Sequence, residues 1–417
     1  MPPSKVSLTP GRQSEGVDTP SGLSWHVLDD FDDARISPSR WDETVCATNA
    51  NVYMTYQWCR TWWRFYGAGR DLRILIFFRG EELAAILPMF VETLWIGPVW
   101  LKIAKLVGAD FSIQLCNPPV HSDLAGAVLQ TAAGYFTGKC GCDVVVLSPL
   151  SEDLPGFDGI RLGCRRLPPE TWVTQDRQTC IHTVFRLPAS FEEYLKGLGK
   201  SPRSNYKRDW NLLNKSFSVA TDIISDESQL SGEFGAFRKL HNAQWNAEGK
   251  QGHFEDWPSA YEFNLELINA FASRRQVCLH RLLLDGEPVS LQYCFVFQGR
   301  LCWRLPARVS GKNWQRYGLG RMGLAKLIEG AIGQGIHWIE GGPEHYDYKT
   351  QMGASEVPVH SLVILSRRTG AGGRLRLMQL FSHVLNTAYY KILFKRVYPR
   401  IPALRRPLAR LWIRSRL

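Results

Sequence analysis

Three β-rich segments at 277–284, 289–297 and 301–307 are separated only by Asp285-Gly286 and by Gln298-Gly299-Arg300, connections too short for anything but antiparallel neighbours. The meander this predicts ends just before Gln315-Arg316-Tyr317-Gly318-Leu319-Gly320, which in turn opens a stretch of helical spacing over 319–332. Two glycines at a helix start supply backbone N–H groups, a positive helix end and no obstructing side chains, the three things a diphosphate needs. By itself a Gly-x-Gly loop is also an ordinary turn before a helix, so its position has to decide. A dinucleotide-binding unit places its glycines after the first strand of a βαβ unit, with an acid about 20 residues on. Here they follow a meander, which excludes that fold.

Short strands are expected after the helix, at 337–339 and 357–365. Upstream, Ser190 and Glu193 have capping-box spacing ahead of Phe191, Tyr194, Leu195 and Leu198. Further helices are expected around Phe234, Phe237, Leu240, His241 and Trp245, and from Pro258 through Tyr261, Leu265, Ile268 and Phe271. The first part of the chain has similar ingredients. A helix is crowded with Trp58, Trp62, Trp63 and Phe65, and apolar runs at 72–78 and 83–91 flank Arg79-Gly80-Glu81 as in a hairpin. A helix at 126–136 and a buried strand at 143–147 follow. The polar, Pro-rich stretch 151–178 is the natural boundary between two units, although part of it has strand character.

With 417 residues and 45% hydrophobic content, the chain is long enough for two domains with cores of their own. Ten cysteines occur without a C-x-x-C pair, and Cys140-Gly-Cys142 is too tight for a zinc site, so reduced thiols in a cytoplasmic protein are expected. His241, His253, His280, His337 and His345 are dispersed, and no metal is expected. Gly-x-Ser-x-Gly is absent, which removes a Ser-His-Asp hydrolase of the elbow type. No apolar run reaches the roughly 18 residues of a membrane span, and no secretory leader is expected at the N-terminus.

The net charge of +11 is localised: residues 374–417 hold eleven Lys or Arg and no Asp or Glu, leaving 39 basic against 39 acidic elsewhere. That asymmetry argues against a general nucleic-acid binder and for a basic tail facing a specific neighbour such as an anionic membrane surface. In the tail, Leu377, Phe381, Val384, Leu385, Ala388, Ile392 and Leu393 follow a helical stripe, for which packing on the protein is the plain alternative to membrane contact. Arg405, Arg406, Arg410, Arg414 and Arg416 interleave with Leu408, Leu411, Trp412 and Ile413 in a segment with a peripheral-membrane look.

Four segments resemble the GNAT acyltransferase superfamily, and within it the CelD/BcsL-type branch related to the FemAB peptidyltransferases. They are Thr55-Tyr56-Gln57-Trp58 with Trp62-Trp63; 191–213 with Lys200, Arg203, Lys207 and Arg208; 241–249 around Trp245; and 315–349. The resemblance implies an α/β (α+β) fold of two tandem GNAT-like domains, each a mixed, largely antiparallel sheet flanked by helices. The expected division is a disordered N-terminus at 1–22, domains at 23–178 and 179–370, and a basic amphipathic tail at 371–417.

The resemblance also implies a site. The strand before the glycine loop is expected to splay from the next strand, so that backbone groups around Leu305 and Ala307, beside 338–341, take the pantetheine arm of acetyl-CoA or a longer acyl-CoA. Gln315, Arg316, Gly318 and Gly320 would hold its diphosphate. The branch's Asp, Gly and Tyr-Lys positions fall on Glu340, Gly342, Tyr348 and Lys349, with Glu in place of the usual Asp and Glu344 where a second glycine is common. Glu340 is the candidate base, with an ion pair to Lys349 or Arg321 as the alternative. Tyr348 would protonate the leaving thiolate, with a packing tyrosine as the alternative. Trp245 and Lys349 would contact substrate, a surface lysine being the other reading of Lys349.

The implied activity is N-acyl transfer to an amine-bearing glycan or lipid precursor of the envelope. The protein would be cytoplasmic, peripheral on the inner face of the membrane. A long-chain-base N-acyltransferase, a FemAB-like aminoacyl transferase with tRNA as partner, and a non-catalytic membrane-attached assembly factor stay open.

Overall fold

Residues 22–111, 114–250, 252–255, 257–397 and 409–415 are described by the computed structural model, so all but the last residue of the expected tail at 1–22 lies outside the described part. The first half runs β1 (Ser24–Leu28), α1 (Pro38–Ala47), α2 (Tyr56–Tyr66), β2 (Asp71–Arg79), β3 (Glu82–Ile96), β4 (Val99–Leu106), α3 (Ala125–Gly134), β5 (Val144–Ser151), α4 (Phe157–Arg165) and β6 (Trp172–Arg186). Two helices, α5 (Phe191–Gly197) and α6 (Lys200–Ser216), lead into the second. It repeats the succession as β7 (Val219–Ile224), α7 (Glu227–Ala247), α8 (Ala260–Ala272), β8 (Val277–Leu284), β9 (Glu287–Phe297), β10 (Arg300–Arg308), α9 (Leu319–Gly333), β11 (Trp338–Pro343), α10 (Asp347–Gln351) and β12 (Ser355–Ser366).

All these strands form one sheet in the order β1-β2-β3-β4-β5-β12-β6-β11-β10-β9-β8-β7. Exchange each strand with its counterpart in the other half and read from the opposite edge, and the order is unchanged. Both halves have an antiparallel meander followed by a parallel step, β4 to β5 and β10 to β11. Two similar mixed units are therefore present, as the sequence implies, but their last strands are swapped. β6 lies between β12 and β11, and β12 lies between β5 and β6. The division expected at 178 and 179 falls inside β6, paired with β12 from Trp172 onward and with β11 up to Arg186. Its middle, Asp176 to Thr179, is exposed, which gives a strand the composition of a linker.

Local chemistry accounts for the pieces. Asp285 and Gly286 have φ of 51° and 85°, and Gln298 and Gly299 have 51° and 68°, so two-residue turns of the primed kind close both hairpins of the second meander. Ser190 accepts from the Glu193 N–H at 3.2 Å and caps α5. Trp58 and Trp62, one turn apart on α2, are fully buried. Trp58 packs edge-on against Phe295 at 4.9 Å and Phe271 at 6.0 Å, so one face of the sheet carries an apolar core shared by both halves.

The tail begins with α11 (Gly372–Val384), continues helically over Leu385–Val397, and ends in α12 (Ala409–Arg414). Trp412 and Ile413 are buried, and Trp412 stacks on Tyr390 at 4.2 Å. The membrane-facing role expected of this last segment therefore does not apply to those two side chains. Arg414 instead reaches Glu92 at 2.7 Å. There it joins a buried network in which Glu92 also meets Arg70 at 3.2 Å and Lys105 at 2.9 Å, and Arg70 meets Asp110 at 2.7 Å.

Candidate functional site

β10 and β11 pair at Arg300 with Trp338, Leu301 with Ile339 and Cys302 with Glu340, and then part. β10 bulges against β9 between Trp303 and Leu305 and runs on to Arg308 without β11 beside it. A cleft of about 1010 Å³ fills the gap, with Trp303–Arg308 and Gly341–Glu344 on its strand walls and Gln315, Gly318, Gly320 and Arg321 at its loop end. The expected splay is present, but it starts past Glu340, so residues 338–340 are hydrogen-bonded neighbours of 300–302 and do not face Leu305.

The strand register refines which backbone groups meet the gap. Val309 N–H bonds to Val289 O at 2.9 Å, and in an antiparallel ladder the pairing edge alternates, so Leu305 and Ala307 turn their backbone toward β9. Pro306 and Arg308 face the gap instead. Leu305 and Ala307 line the cleft, yet the pantetheine hydrogen bonds expected of their backbone are already spent on β9. Two of these gap-facing groups are taken by α7: His241 Nδ1 donates to Pro306 O at 2.7 Å, and Arg308 N–H donates to Gln244 Oε1 at 3.0 Å.

His241 Nε2 accepts from the His253 N–H at 3.2 Å, so both ring nitrogens are committed and the ring is neutral with its proton on Nδ1. Burial agrees, pulling its pKa down to about 4. In this way α7 stands in for the missing strand neighbour.

At the loop end, Gly318 has φ 59° and caps α9. A Cβ there would lie 2.3 Å from Asp209 Oδ2, and one on Gly320 would lie 3.3 Å from Arg308 Nε. Asp209, fully buried on α6, is bonded by Arg208 Nη2 at 2.9 Å and by Arg321 Nε at 3.1 Å. A carboxylate thus already rests against the positive end of α9, where an anion is favoured. Arg316 does not line the cleft: its guanidinium donates to the Tyr317 hydroxyl at 2.6 Å and lies over that ring. Arg321, expected at most as a partner of Glu340, takes the loop position instead.

Glu340 is buried on the sheet face toward the first half, and the cleft lining does not include it. Its carboxylate accepts from the Tyr53 hydroxyl at 2.9 Å and from the Cys302 thiol at 3.6 Å. Burial raises its pKa from 4.5 to about 7. The ion pair expected with Lys349 or Arg321 is not formed. Lys349 is buried rather than a surface lysine, donates from Nζ to Gly341 O at 2.6 Å, and lies 5.8 Å from the Trp303 ring. Desolvation brings its pKa down to about 8.

Tyr348 lines the cleft with 38% of its surface exposed, and desolvation pushes its hydroxyl up to about 12. Trp245 lines the cleft too, with its ring 4.8 Å from His253. Its Nε1 has no hydrogen-bond partner.

Several cleft residues had no readable signal. Asn264 on α8 donates from Nδ2 to Ala260 O at 2.7 Å, which fixes the amide and leaves Oδ1, buried in the cleft wall, without a partner. Asn386, Tyr390, Lys391 and Trp412 bring the tail to the cleft. A helical asparagine and a tail tyrosine are common, and only their convergence marks them. For His241 and Gln244 a signal existed in their i, i+3 spacing beside Trp245.

Residues 200–350 match the family profile described as an acetyltransferase (GNAT) domain. No curated protein matches the chain by sequence. Among solved structures the chain is similar to FemX, with a TM-score of 0.57 at 10% identity over 81% of this chain and 98% of that one. It is also similar to a conserved protein of unknown function from Bacteroides thetaiotaomicron VPI-5482, with a TM-score of 0.51 at 9% identity over 79% and 98%. At these identities the likeness to solved structures is one of fold. The second half of the chain is thus similar in sequence to a GNAT acetyltransferase domain, set in a fold shared with FemX.

Proposed function

We propose that the chain is an N-acyltransferase that moves an acyl group from a coenzyme A thioester to the amine of an envelope precursor, in the manner of the exopolysaccharide (CelD/BcsL-type) branch. One observation carries this reading: the gap between β10 and β11 opens directly onto the glycine-led N-terminus of α9 in a single cleft. The loop end offers a diphosphate Gln315 and the backbone of Gly318 and Gly320, with Arg321 beside them already paired with Asp209. In the reaction the amine nitrogen bonds to the thioester carbon as the C–S bond breaks. Tyr348, neutral at physiological pH, gives its proton to the departing sulfur, and the proton shed by the amine restores the phenol. Lys349 places positive charge beside Gly341 at the strand end.

The acceptor end is formed by Trp245 and Asn264. One unpartnered donor and one unpartnered buried acceptor suit a molecule that offers both a polar oxygen and an N–H, as an amino sugar and a long-chain amino alcohol both do. Glu340 braces the strand end against Tyr53 of the first half.

Calorimetry with acetyl-CoA and palmitoyl-CoA tests the cradle. Gly320→Trp drives an indole into Arg308 and is expected to weaken binding at least about tenfold. Unchanged affinity removes coenzyme A from the loop.

A second reading has its own support. His241 and Gln244 already occupy Pro306 O and Arg308 N–H on the β10 edge where a pantetheine arm would lie, which favours a donor other than coenzyme A, such as the aminoacyl-tRNA of FemAB-like enzymes. Salt-sensitive tRNA binding without acyl-CoA binding selects it.

A further inference from the structure

Ten large hydrophobic side chains stand exposed among the described residues, and five of them, Trp95, Trp100, Leu377, Leu380 and Val384, belong to the β3–β4 hairpin and α11. Single exposed apolar residues need no explanation, but a cluster of them does. Trp95 and Trp100 face each other across the β3–β4 hairpin tip, with ring centroids 6.0 Å apart and exposures of 61% and 41%. Arg374, in the first turn of α11, joins that tip to the helix. It donates to Trp100 O at 3.0 Å, lies 4.5 Å over the Trp100 ring, and is anchored by Asp143 at 2.9 Å.

From there Leu377, Leu380 and Val384 recur at helical spacing on one side of α11, while Leu375 and Met378 are buried on the other side. The tail that bears this row holds eleven Lys or Arg and no acid, and of these Arg374 and Arg414 are paired with Asp143 and Glu92 of the first half.

We propose that the Trp95–Trp100 hairpin tip and the outer side of α11 form one docking face for an anionic lipid bilayer. Indole rings at a turn tip match the interfacial zone of a bilayer, and the aliphatic row matches the acyl boundary beneath it. The acid-free basic tail matches the headgroup charge. A second copy of the chain fits poorly, because an isologous contact would set one basic segment against its twin. The face also leads to the cleft. The chain that follows α11 supplies Asn386, Tyr390 and Lys391 to the cleft lining, so a bilayer held here lies beside the opening through which a lipidic amine would enter. That last step rests on the acyl-transfer reading, whereas the docking face itself does not.

Flotation of the full chain with vesicles of phosphatidylcholine alone, or of phosphatidylcholine mixed with phosphatidylglycerol, tests the face. The wild type is expected to float with the phosphatidylglycerol vesicles, more weakly at high salt. Trp95→Ser with Trp100→Ser, and separately Leu377→Glu with Leu380→Glu, are each expected to lower the partition by about tenfold or more. Leu162→Glu, a charge on an exposed leucine of α4, is expected to leave it unchanged. The two double variants lie on different elements and replace exposed side chains, so equal thermal unfolding separates lost docking from lost folding.

Three results overturn the proposal: a wild type that floats with neither vesicle, variants that float like the wild type, or a wild-type dimer that the same variants convert to monomer. Acyl-CoA calorimetry on the same proteins keeps the two claims apart, since the face can fail while the cleft still binds its donor.

Discussion

Glu340→Gln isolates one titration in the core beneath the cleft. The wild-type carboxyl is buried, and its pKa rises from 4.5 to about 7 because burial penalises the anion more than the Tyr53 and Cys302 hydrogen bonds favour it. A raised folded-state pKa means that the native protein holds a proton the unfolded chain has released. Stability from this group is therefore complete below pH 4.5 and is lost as pH rises toward 7. The full loss is about 3 kcal/mol, at a slope of about 1.4 kcal/mol per pH unit.

Glutamine keeps the shape and an acceptor for the Tyr53 hydroxyl but has nothing to titrate. Urea unfolding of both proteins at pH 5, 6, 7 and 8 reads the difference directly, since every other titration cancels. The variant is expected to match the wild type near pH 5 and to exceed it by roughly 2–3 kcal/mol at pH 8. A difference that stays flat within about 0.5 kcal/mol across that range would refute the burial argument. So would a variant that is less stable than the wild type at pH 8.

Lys105→Met leaves the Glu92 carboxylate in the buried network without its closest ammonium and is expected to cost about 3–5 kcal/mol in urea unfolding. A loss under about 1 kcal/mol would mean that Arg70 and Arg414 suffice. Gly318→Val combines a left-handed φ with a Cβ 2.3 Å from the Asp209 carboxylate, so a destabilisation of about 1–3 kcal/mol is expected from strain alone. An unchanged melting temperature would show that the loop accommodates the side chain. Tyr348→Phe removes the proton donor assigned to the thiolate, and kcat is expected to fall roughly 10²–10⁴-fold with donor affinity unchanged. If donor affinity falls and kcat does not, Tyr348 is a packing residue.

What the sequence determined by itself was local. The turns at Asp285-Gly286 and Gln298-Gly299 specify the second meander because both positions accept positive φ. Helical spacing placed Trp58 and Trp62 in a core, and Gly318 and Gly320 marked the start of α9. Each of these depends on a few neighbouring residues, and short-range geometry is written in short-range patterns.

The tertiary structure alone decided the exchange of β6 and β12. β6 is exposed along its middle, so its polar residues read as a linker, and its partners are set by which edges remain open when both halves meet. Distance in the chain hid the surroundings of Glu340, whose partner Tyr53 lies 287 residues away, and of Arg414, whose partner Glu92 lies 322 residues away. It also hid the capture of the β10 edge by His241 and Gln244, because a side chain that replaces a strand's hydrogen bonds follows no period. Packing selects contacts like these by burial and by the need to satisfy every buried polar group, and a linear pattern records neither.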